Sequence, residues 1–89
     1  MSQQYRWNTS VESAELDENW VVMNSEKFTI SKLNPIGGFL WSKLQQSLTK
    51  AQLVTEVMAE YEVSEEVATA DVVRFLDQLT EYGLIEQVG

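Results

Sequence analysis

The hydrophobic period of this chain changes once, at Leu33-Asn34-Pro35, and that change limits the folds open to it. Before it, apolar and β-branched residues come in short runs separated by turn clusters. After it, they recur every three or four residues, the spacing of helices buried on one face. The expectation is an α+β chain with its strands first and its helices last.

In the first part, Val11, Ser13 and Glu15 alternate with Glu12, Ala14 and Leu16, the pattern of an edge strand. Asp17-Glu18-Asn19 is a turn cluster, and Trp20 to Met23 is a short β-rich run. Asn24-Ser25-Glu26-Lys27 forms the next turn. The third strand runs from Phe28 to Leu33, with Phe28, Ile30 and Lys32 on one face and Thr29, Ser31 and Leu33 on the other. Short turns join neighbouring strands antiparallel, so these runs predict a three-stranded meander with two open edges. Residues 1–10 are polar apart from Tyr5 and Trp7 and hold no period, which predicts a loose N-terminal arm. Its aromatics are expected to fold back on the body, with contact to a partner as the alternative. Residues 11–89 are expected to form one domain.

The second part carries three helix starts. Asn34 can cap a helix whose first residue is Pro35, and Ile36, Leu40, Trp41 and Leu44 form its inner face. Gly37 and Gly38, poor helix formers in its first turn, suggest close backbone packing. Thr49 with Gln52 is a capping box opening a second helix, whose stripe is Leu53, Val54, Val57 and Tyr61. Ser64 caps the third helix, and Glu65 and Glu66 suit the positive end of its dipole. Gly83 is a left-handed terminator, after which Leu84-Ile85 returns to the core.

Composition closes off most chemistry. Cysteine and histidine are absent, which removes disulfides, thiol nucleophiles, histidine triads and the usual zinc ligands. The carboxylate pairs Glu65/Glu66 and Asp77/Glu81 have no nucleophile, metal cluster or phosphate loop beside them, so they are solvated charges. A binding protein without cofactor is expected, not an enzyme. Fourteen acidic residues stand against six cations spread singly, for a net charge of −8, which disfavours nucleic acid. No apolar run has the length of a membrane span and no signal peptide opens the chain, so it reads as cytoplasmic.

The third helix has more apolar surface than two helices and a small sheet require. Ala68, Val72, Phe75, Leu79 and Tyr82 mark its core-facing centre, while Ala70, Arg74, Asp77 and Glu81 read as solvated. Leu76 sits on a shoulder of the stripe and Val73 further round, flanked by Thr69 and Thr80. Either Val73 is merely half-buried, or Thr69, Val73, Leu76 and Thr80 make a second, shallow contact surface.

Three stretches in order carry a family resemblance: Phe28 to Asn34 ending Leu-Asn-Pro, Phe39-Leu40-Trp41 with Leu44, and Asp71-Val72 with Phe75-Leu76, Leu79 and Gly83-Leu84-Ile85. From Val11 to Val88 the chain resembles the pyrroloquinoline quinone biosynthesis protein D family. Its members are winged-helix-like recognition elements for ribosomally made, modified peptides. The resemblance implies three strands packed on three helices, without catalysis. It also implies that the leader segment of a precursor peptide adds as a fourth strand beside Phe28, Thr29, Ile30, Ser31, Lys32 and Leu33. The other wall of that groove would be the third helix, at Thr69, Val73, Leu76 and Thr80. An open strand edge beside an apolar wall is physically suited to this. The chain departs from many relatives in having Ser31 where they place an aromatic, and no glycine after Met23-Asn24.

The resemblance extends to the leader-binding subunit of lasso peptide systems, whose partner is a separate cysteine protease that removes the leader. The alternatives are a peptide chaperone of quinone cofactor synthesis and an adaptor for a radical peptide maturase. A structural module binding a folded partner, and a winged-helix transcription regulator, share the element order. The regulator would need base-reading cations on its third helix, which has Arg74 alone among five acids.

Overall fold

A computed structural model describes residues 3–17 and 19–88. Met1 and Ser2 of the expected arm, Glu18 of the first expected turn and Gly89 lie outside the described residues. The elements run β1 (Gln4–Trp7), β2 (Val11–Leu16), β3 (Asn19–Asn24), β4 (Thr29–Leu33), α1 (Pro35–Lys43), β5 (Leu48–Thr49), α2 (Lys50–Tyr61), α3 (Glu65–Glu81) and β6 (Ile85–Val88). The fold is α+β and winged-helix-like, with the expected meander β2-β3-β4 followed by the three helices.

Register places the faces of that meander. Glu12 lies opposite Met23, and Met23 opposite Ile30; Ala14 lies opposite Val21, and Val21 opposite Lys32. Directly opposed residues share a face, so the apolar residues of these rows look outward. The inner rows pair Val22 with Ser31 and Trp20 with Leu33, and Val22 and Leu33 are buried in the core. Phe28 is not part of the strand: it closes the β3–β4 turn at φ 55° and is 92% exposed.

The N-terminal arm is not loose. Its residues 4–7 form β1, the central strand of a second antiparallel sheet ordered β5-β1-β6. Trp7 anchors it by stacking on Trp41 of α1 at 4.8 Å and 12° and donating its indole N–H to the Trp41 carbonyl at 2.8 Å. The arm lacks an apolar period because only Trp7 and Tyr5 need to pack; backbone pairing does the rest.

Each helix start is held by the cap its sequence names. Asn34 accepts the Gly37 N–H at 2.7 Å, Thr49 and Gln52 bond reciprocally, and Ser64 accepts the Val67 N–H. Gly38 allows a close approach: a Cβ there would stand 2.7 Å from Cδ1 of Trp20. Gly83 adopts φ 71°, and the chain turns back so that Leu84 and Ile85 are buried. Tyr61 packs edge-on against Phe39, and burial, then the neighbouring Glu60 carboxylate, pushes its phenol above the usual range. Two helix positions depart from expectation. Tyr82 is 47% exposed rather than core, and Leu76 is fully part of the core, because α3 is rotated to bury the Leu76 side of its stripe.

Candidate functional site

Sheet order leaves β4 paired only to β3 among the described residues, so its other edge presents unpaired backbone groups. That edge opens onto a cleft of about 320 Å³ between the second half of β4, the entry to α1 and one flank of α3. Leu33, Gly37, Phe75 and Leu79, all buried, form its floor, while Lys32, Asn34, Asp71, Arg74, Gln78 and Tyr82 form a polar rim. An extended chain laid against β4 would gain main-chain hydrogen bonds on one side and meet side-chain pockets on the other.

Two polar side chains tie together the elements around this cleft. At one end, Asn34 both leaves β4 and caps α1, which fixes the angle between strand and helix. At the other, Asn24 is the one buried polar side chain among the described residues. Its amide donates to the Gly83 carbonyl at 2.9 Å, and its oxygen accepts the Glu26 and Lys27 N–H groups at 2.9 and 3.2 Å. Asn24 thus ties the β3–β4 turn to the end of α3. The sequence marks it only as a turn residue, because its partner Gly83 lies 59 positions away and leaves no local signal.

The expected site residues divide. Ser31, Lys32 and Leu33 line the cleft; Thr29 and Ile30 belong to the same strand but do not, and Phe28 stands in the turn. The residues expected as a wall on the third helix, Thr69, Val73, Leu76 and Thr80, do not line this cleft. Leu76 is buried, Thr69 faces a hollow between α2 and α3, and Val73 and Thr80 continue that flank. At 100° per residue their face lies roughly opposite the Asp71, Arg74, Gln78 and Tyr82 face that borders β4. Both faces flank the core stripe, but the sheet edge approaches the polar one. Arg74, read as solvated, is therefore a rim residue.

A separate apolar surface covers the outer face of the meander. Ala14, Leu16, Val21, Met23 and Ile30 line a shallow hollow there, with Leu16, Met23 and Ile30 well exposed. No described helix is long and apolar enough to cross a membrane.

The family model described as coenzyme PQQ synthesis protein D (PqqD) matches residues 19–85. A solved structure of TbiB1 in complex with the TbiA(beta) leader peptide superposes with a TM-score of 0.85 at 27% identity, covering 91% of this chain and 94% of that one. A lasso peptide synthetase B1 complexed with its leader peptide superposes with a TM-score of 0.81 at 21% identity, covering 92% and 96%; at that identity it bears on the fold alone. No curated protein matches the chain.

Proposed function

Because the chain belongs to the coenzyme PQQ synthesis protein D (PqqD) family, we propose that it is a non-catalytic module that captures the leader segment of a ribosomal precursor peptide. The leader adds as a strand to the free edge of β4, its alternate side chains entering the cleft beside α3. The site then comprises Ser31, Lys32 and Leu33 with the Asp71, Arg74, Phe75, Gln78 and Tyr82 flank of α3. Holding the leader raises the local concentration of precursor at a separate protease or maturase. The observation that carries this reading is the unpaired β4 edge opening onto a cleft with a buried apolar floor. TbiB1, similar over nearly the whole chain, was solved with a leader peptide. That likeness favours a leader peptide as the ligand, and the resemblance noted in the sequence favours a lasso peptide system; the family description favours a second reading, a peptide chaperone in coenzyme PQQ synthesis.

Fluorescence anisotropy with labelled TbiA(beta) leader and a library of short extended peptides tests the reading. Binding should be lost when backbone N–H groups of a bound peptide are methylated at every second position and kept at the intervening ones, the period of strand pairing. Gln78→Trp, exposed on the rim, should weaken binding roughly tenfold or more by filling the cleft, whereas Val73→Asp on the far flank should leave it within about twofold. Absence of binding to any peptide, or methylation effects without the two-residue period, would sink strand addition. A preference for the TbiA(beta) leader over a PQQ precursor would decide between the two pathways.

A further inference from the structure

We propose that the peptide segment held in this cleft carries an acidic side chain opposite the second half of β4, read by Lys32 and Arg74; this rests on the peptide-binding reading above. The chain has six cations against fourteen acids. Two of the six line this one cleft, and Asp71 is the only carboxylate residue among those lining it. A third, Lys27, lies at the Tyr82 end: its Nζ would be 3.1 Å from a Cβ on Gly83. The cleft is thus a positive spot on a molecule of net charge −8.

The protein leaves both lining cations with donors to spare. Lys32 makes no ion pair among the described residues. Arg74 reaches Asp71 at 3.4 Å, longer than the usual ~2.8 Å of a charge-assisted bond, and its side chain is 68% exposed. A guanidinium so placed keeps most of its donor fork for a carboxylate from outside, and Lys32 on the facing strand supplies a second point charge. The protein's overall field repels acidic peptides, so local cations at the groove are what would admit one in a single register. Apolar side chains of the same segment would lie on the Leu33, Phe75 and Leu79 floor.

The experiment is a positional scan of short extended peptides in which each position is in turn Glu, Gln, Leu or Lys. They are titrated by fluorescence anisotropy into the parent chain, Lys32→Gln, Arg74→Gln, the double variant and the remote control Lys50→Gln. At one position Glu should bind roughly two- to fivefold tighter than Gln at low salt, with Lys weaker still, the range for partly exposed ion pairs. High salt should shrink that preference. Each single variant should reduce the ratio of Glu to Gln affinity and the double variant bring it to one, while a thermal melt matching the parent's reports an intact fold. Lys50→Gln should behave as the parent. Peptides that bind with Glu and Gln equal at every position, or a preference that survives the double variant, would overturn this inference and leave leader binding standing. No binding by any peptide would overturn leader binding and this inference with it.

Discussion

Replacing Asn24 with alanine removes four hydrogen bonds from a side chain only 3% exposed, the one to the Tyr82 carbonyl being long at 3.5 Å. The bond to the Gly83 carbonyl is the costly one, because that carbonyl is left without its side-chain donor at the end of α3. The Glu26 and Lys27 amides sit in an exposed turn and regain water, so their loss falls at the low end of the ~0.5–1.5 kcal/mol net worth of such a bond. The sum is about 2–3 kcal/mol, and in a domain of this size about 10–20 °C in Tm. The assay is chemical denaturation beside a thermal melt, with hydrogen exchange at residues 25–28 and 80–84 to locate the loosening. A shift in Tm below about 4 °C would refute the claim that Asn24 holds turn and helix together. Asn24→Asp sharpens the test. It keeps an acceptor for the turn amides but replaces the donor facing the Gly83 and Tyr82 carbonyls with a second oxygen, so only the donor's bonds are lost. An Asp variant as stable as the parent at neutral pH would contradict the donor role.

The remaining predictions follow from single contacts. Trp7→Ala should cost about 3 kcal/mol in denaturant titrations, through loss of the Trp41 stack and the indole bond to its carbonyl; a silent substitution would return the arm to a loose one. Gly38→Ala should cost about 1–3 kcal/mol by driving a methyl into Trp20, and parental stability would refute that close approach. Spectrophotometric titration should place the Tyr61 phenol above its usual ~10, burial being the larger cause, so Glu60→Gln should lower it only slightly. Because the neutral phenol is favoured in the fold, the stability it contributes is full below the unfolded pKa and lost as pH rises through the folded one.

Local rules made most of the fold legible. Asn34, Thr49 with Gln52, Ser64 and Gly83 each satisfy a helix end from within a few residues, so the sequence marks every helix boundary they control. The meander was legible for the same reason: its strands are joined by short turns, and its inner and outer rows alternate. The second sheet was not. Gln4 pairs with Thr49 and Val88, and Trp7 with Ile85, contacts between residues dozens of positions apart whose backbone bonds leave no mark on composition. A strand of four residues with one anchoring tryptophan reads as a polar tail unless its partners are known.

The candidate groove shows the same limit on a finer scale. Helical periodicity located the core stripe of α3 correctly at Ala68, Val72, Phe75 and Leu79, and it gave that stripe two flanks. Choosing between them by hydropathy favours Val73 and Leu76, since the other flank carries Asp71, Arg74 and Gln78. Yet periodicity is blind to which flank the sheet edge approaches, which is a matter of tertiary contacts far apart in sequence, such as the Asn24 bond to Gly83. A strand-binding groove also does not need an apolar rim. The free edge of β4 supplies hydrogen bonds, and Leu33, Phe75 and Leu79 supply the apolar floor from residues already buried in the core. What remains for the rim is to choose among segments, and charged side chains discriminate register and partner better than they add affinity. On the proposed reading, the polar flank discounted on hydropathy is where the specificity of the groove would reside.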